Sequence, residues 1–229
     1  MSKYILLPED KDRPDILVVK HRLSIPIPGI RLAGKYLGLD LTNNDQGFVG
    51  NFNNQQALDL TTRLNGFALF PGYFAEFLGS VRQGITDRSK RPYDEKGKKV
   101  DMGELKLIDS DITEQRGPWR GEHLDARFDN EKMIYHKFVN GKLVPVEEPL
   151  EGDTLMRDRQ IDLDGWLKNY TRQGLARAST QDGGLAYWPP TANSVARFVA
   201  FSDGAVLGCN RDPLGSFAEI GVRVARAKI

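Results

Sequence analysis

SVARFVAFSDGAVLGCNRDPLGSFAEIGVRVAR, residues 194–226, has an unusual periodicity. Ala196, Phe198, Ala200 and Ser202 recur at every second position and are small or apolar. Arg197, Val199, Phe201 and Asp203 alternate with them and share no chemistry. A period of two is a strand signal, because successive side chains leave opposite faces. At Asp203-Gly204 the phase slips by one residue. Ala205, Leu207 and Cys209 then form the small or apolar set, and Val206, Gly208 and Asn210 the mixed one. Such a slip at Asp-Gly marks a turn or bulge between two strands. Asp212-Pro213 is another turn signal, Ser216 and Ala218 alternate with Gly215, Phe217 and Glu219, and residues 221–226 close as a strand.

The two sets predict different environments. The framework of Ala196, Phe198, Ala200, Leu207, Cys209 and Val222 belongs in a core. The mixed set, from Val199 to Glu219, belongs in an exposed cluster. Open strand faces usually carry polar residues. A face with Phe201, Val206 and Phe217 near Arg211 and Asp203 is either an interaction surface or packed beneath another segment.

Upstream, residues 16–19 read as a strand and residues 24–29 as extended and Pro-punctuated. One helix is expected from about Asn54 to Gly66, with Ala57, Leu60, Thr61 and Leu64 at helical spacing. A second starts after Pro71-Gly72, carries Phe74, Phe77, Leu78 and Val81, and stops at Gly84. A short buried strand or link at 67–70 joins them. Residues 85–100 are polar and read as a solvated loop, its Lys96, Lys98 and Lys99 an exposed charge cluster rather than a phosphate site. Asn140-Gly141 between two apolar runs predicts a hairpin over 132–146, with Pro145 on an edge strand. Asp162 to Leu167 opens a short helix. The reading is one α+β domain over 1–229, with mostly antiparallel short sheets and many loops. Residues 85–150 stand in it as an insertion or loop and hairpin region.

Composition narrows function. The chain has 229 residues, 40% hydrophobic and 28% charged, and a formal net charge of +1. That balance gives no long-range attraction to nucleic acid, and no apolar run is long enough for a membrane span. The N-terminus lacks a basic start followed by a long apolar segment, so synthesis in a cytoplasm is expected, with virion or surface association compatible. Cys209 is the only cysteine, which leaves no intrachain disulfide or cysteine-based zinc site.

The framework S-V-A-R-F-x-A-x-S-x-x-A-x-L-x-C-x-x-D-P-x-x-S-x-A-x-x-G-V-R-x-x-R resembles the variable region of proteins diversified by retroelements. In that family a reverse transcriptase and a template repeat scatter codons at adenines while a framework stays fixed. The resemblance implies a C-type lectin fold with two helices, of the subtype shared with formylglycine-generating enzymes. Gly221-Val222-Arg223 is similar to that subtype's Gly-aromatic-Arg close. The implied variable positions are Val199, Phe201, Asp203, Gly204, Val206, Gly208, Asn210, Arg211, Leu214, Gly215, Phe217 and Glu219. Most of these types are reachable from an asparagine codon by changing adenines; Glu219 is not when the third base is a pyrimidine. The implied function is binding of a protein or glycan, with no cofactor, no metal and no catalytic residue.

Two alternatives stand beside it: a tail-fibre or lectin-like receptor-binding protein of fixed specificity, and a divergent enzyme on the same fold. The enzyme would draw on Glu122, His123 and Asp125. Asn210 and Asp212-Pro213 only faintly echo a calcium-dependent lectin. Tyr187 and Trp188 are aromatic groups able to stack on a ligand or to anchor packing.

Overall fold

The computed structural model describes residues 2–8, 13–20, 52–114, 119–217 and 219–228. The extended segment expected at 24–29 and the framework residue Ala218 lie outside these. The chain is α+β. A small sheet joins β1 (Tyr4–Leu6), β2 (Ile16–Val19), β12 (Val224–Ala227) and β3 (Phe67–Ala68), in that order. A larger sheet runs β6 (Lys142–Pro149), β5 (Lys132–Val139), β4 (Arg120–Asp129), β9 (Ser194–Phe201), β10 (Gly204–Arg211), β8 (Leu185–Trp188), β7 (Arg159–Ile161). Its pairings are antiparallel except β10 with β8 and β11 (Ile220–Val222) with β4.

Four α-helices are present among the described residues: the two expected at 54–66 and after Pro71-Gly72, the short one expected at 162–167, and one at 102–113 that was not expected. Helix α1 (Asn54–Arg63) is capped by Asn53, whose side chain accepts from Gln56 N while Gln56 returns a bond to the Asn53 amide. Helix α2 (Pro71–Thr86) starts with proline, where a missing N–H costs nothing, and runs past Gly84. Gly84 is a packing residue: a Cβ there would lie 2.8 Å from Leu105 Cδ1. Leu105 belongs to α3 (Met102–Thr113), capped by Asp101, with Leu105, Ile108 and Ile112 in the core. The short α4 (Leu163–Lys168) buries Trp166. Arg82 on α2 ties three helices, reaching Asp109 at 2.9 Å and Asp164 at 2.8 Å.

Residues 85–150, expected as an insertion or loop and hairpin region, also supply part of the core. Helix α3 and strand β4 both lie in that stretch, and both carry core residues. Leu124, Ala126 and Phe128 of β4 are each 1% exposed. Residues 86–99 are largely exposed, as expected, and β6 lies at the sheet edge, whereas β5 of the same hairpin puts Met133 and Tyr135 into the core. The hairpin turns on Asn140 and Gly141, whose φ angles of 51° and 74° need the left-handed region.

The main core lies against one face of the larger sheet. Phe198 sits at its centre, its ring 4.9 Å from Phe74 of α2 and 6.3 Å from Trp166 of α4. A second, smaller cluster under α1 holds Phe52, Ala57, Leu60, Ala68, Val222 and Val224.

Candidate binding face

Strand register sorts the C-terminal stretch into two faces. Across β4, β9, β10 and β8 the paired positions form rows, and paired residues share a face. Glu122, Phe198, Leu207 and Tyr187 make an inner row. Gly121, Val199, Val206 and Ala186 make an outer one, and His123, Arg197, Gly208 and Trp188 the outer row beside it. Every framework residue assigned to the core is there: Ala196, Leu207, Cys209 and Val222 are 0% exposed, Phe198 and Ala200 1%. Burial also pushes the Cys209 thiol pKa up, which keeps it an unreactive apolar group. Ser202, which the alternation grouped with the inward set, is exposed because it sits in the β9–β10 turn.

The mixed set divides. Asp203, Leu214 and Phe217 are exposed; Phe201, Gly204, Asn210, Arg211, Gly215 and Glu219 are partly so. Val199, Val206 and Gly208 are buried, contrary to expectation. Their side chains leave the main core, yet they occupy the middle of the outer rows. Val199 and Val206 face each other across the strands, between Gly121 and Ala186. Gly208 lies under two neighbours: a Cβ there would meet Arg211 Nε at 2.9 Å and Trp188 Cε3 at 3.3 Å. The register shift between Gly208 and Arg211 gives β10 an extra residue, so Arg211 lies against Gly208.

Two surface features result. One is a cleft of about 340 Å³ lined by Gln160, Ala186, Trp188, Phe201, Asp203 and Val206, among others. The other is an aromatic group. Trp119 lies 5.1 Å from Phe201 and 5.5 Å from Phe217, ring centre to ring centre. Phe201 belongs to both features. Phe217 is held by a bridge to Phe52 and by the Arg197 guanidinium, 5.6 Å from its ring centre. Leu214, at the tip of the turn after Asp212-Pro213, is 77% exposed.

Trp119, Gln160, Ala186 and Trp188 come from outside residues 194–226. Trp119 carries no local signal, because strand pairing alone brings it beside Phe201. Trp188 had a signal in the Tyr187-Trp188 pair. Its neighbour Tyr187 is a buried anchor, whereas Trp188 stands at the cleft with Arg211 stacked 3.7 Å from its ring centre.

The Glu122, His123 and Asp125 cluster is dispersed. Glu122 points into the core and holds Arg223 by two bonds of 2.9 Å, both side chains being nearly inaccessible. His123 points to the outer face, is 1% exposed, and donates from Nε2 to the Phe52 carbonyl at 2.9 Å. Burial and then the Arg197 charge lower its pKa to about 3, so it stays neutral. Asp125 accepts from the His136 amide at 2.9 Å and from its ring at 3.0 Å. Each group thus has a structural partner, and the three do not converge on one space. Among the described residues, no grouping of His, Cys, Asp or Glu could hold a metal ion, and no helix is long and apolar enough to cross a membrane.

No family model matches the chain, and comparison with curated proteins and with solved structures returns no match.

Proposed function

We propose that this chain is a ligand-binding protein whose outer C-terminal face is diversified by a retroelement, on a C-type lectin-like fold of the formylglycine-generating-enzyme subtype. The ligand is a surface molecule, met from a virus particle or a cell surface. One observation carries this reading. A single stretch interleaves buried core residues with side chains of unrelated chemistry, most of which gather on one face. The framework residues Ala196, Phe198, Leu207 and Cys209 fix the strands. Phe201, Asp203, Arg211, Leu214 and Phe217 project outward around the cleft and the aromatic group. Outward substitutions of that kind cost little stability, while each alters contact energy with a partner. The burial of Val199, Val206 and Gly208 narrows the free set rather than moving it.

The test is at the gene. A near-copy of the codons for residues 194–226, differing mainly at adenines and lying beside a reverse transcriptase gene, is the expected result. A locus with neither would overturn the diversification.

A further inference from the structure

Two arginines meet on the outer face with no carboxylate between them. Arg197 is 3% exposed; its Nη2 donates to the carbonyl oxygens of Asp212, at 3.0 Å, and of Gly215. Its Nε is buried without a partner, as is Nη2 of Arg211. The two are neighbours across the strands: Gly208 pairs with Arg197, and Arg211 lies over Gly208. The adjacent carboxylate, Asp212, is exposed and caps Leu214 N at 2.9 Å. Neither arginine is in an ion pair among the described residues.

Desolvating two like charges side by side disfavours both. Burial first, and then the charge of Arg211, lower the Arg197 pKa to about 10, and the Asp212 carboxylate offsets this only in part. Phe217 and Trp188 each brace one guanidinium, at 5.6 Å and 3.7 Å from the ring centres. An oxyanion entering here relieves the repulsion and occupies donors that otherwise have no acceptor. The planar guanidinium fork matches a carboxylate in two parallel bonds.

We propose that Arg197 and Arg211 form an oxyanion subsite of this face, and that its ligand is a protein surface presenting an Asp or Glu carboxylate beside apolar side chains. Leu214 and Phe217, 77% and 44% exposed, give the apolar side chains of such a protein surface a place to pack beside the two arginines. The subsite rests on reading this face as ligand-binding, and does not depend on its being diversified.

The test is NMR of the arginine Nε–Hε signals in the full chain. It is titrated with sodium acetate and, separately, with sodium sulfate, ionic strength being held with sodium chloride. Acetate is expected to give saturable shifts at Arg197 and Arg211, with the midpoint raised about tenfold in Arg211→Ala. If that variant does not fold, Arg211→Lys, which keeps the charge and loses the fork, is expected to raise the midpoint by a smaller factor. Acetate shifts no larger than those of the remote Arg159 would overturn the subsite. Saturation by sulfate without acetate would also overturn it, by assigning the corner to a sulfated ligand. If Phe201 and Phe217 still capture a partner after either negative result, the subsite fails and the binding face stands.

Discussion

The two faces of the β9–β10 pair are built from one stretch of chain and obey different rules. On the inner face Phe198 is enclosed by Phe74, Trp166 and the strands beside it, and Ala196 and Ala200 on the same strand are buried with it. On the outer face burial is graded. It is complete in the middle of the sheet at Val199, Val206 and His123, and it falls away toward Asp203, Leu214 and Phe217. An alternating strand therefore does not separate core from solvent by itself; what lies over each face decides. The outer centre behaves as a second floor, and the free positions form its rim.

The two faces are expected to part most visibly at low pH. His123 is an outer-face residue, yet its folded pKa of about 3 lies below the ordinary value of 6.5. The unfolded chain therefore binds a proton first as pH falls. The stability His123 contributes is present above pH 6.5 and is lost toward pH 3, at about 1.4 kcal/mol per pH unit. His136 acts in the other sense: its hydrogen bond to Asp125 raises its pKa, so its contribution is present below pH 6.5 and is lost at higher pH. Urea midpoints at stepped pH are expected to show the acid slope in the parent and a smaller one in His123→Gln. Equal slopes would mean the outer centre is hydrated.

On the inner face, Phe198→Ala is expected to cost about 3–5 kcal/mol, since it empties the contact between α2, α4 and the sheet. Denaturant unfolding measures it. Val206→Ala sharpens the boundary. Loss of two buried methyl groups without a main-core contact is expected to cost about 1–2 kcal/mol. A change below about 0.5 kcal/mol would return Val206 to the free set. At the rim, Leu214→Ala is expected to shift stability by less than about 0.5 kcal/mol in the same assay.

Much of this division was legible in the sequence. The period of two placed Phe198, Leu207 and Cys209 inside, and the slip at Asp203-Gly204 located the turn. What alternation could not express was cover on the second face. Val199 and Val206 look free because their neighbours on either side come from β4 and β8, remote in sequence. Arg197 falls by phase among the mixed residues, but Phe217 and the turn after Asp212 enclose it. Trp119 reaches Phe201 through long-range pairing with no local trace. Helix α3 is a different kind of miss: Asp101 as cap and Leu105, Ile108 and Ile112 at helical spacing announce it, but a polar preceding loop drew the whole region into an insertion.

The most direct test of the central claim is a saturation substitution scan of residues 194–226 on surface-displayed protein, read by protease resistance. Resistance is expected to tolerate nearly any residue at Phe201, Asp203, Asn210, Leu214 and Phe217, and few at Ala196, Phe198, Ala200, Leu207, Cys209 and Val222. Equal sensitivity at both sets, or tolerance at the framework, would contradict a free face carried on a fixed one.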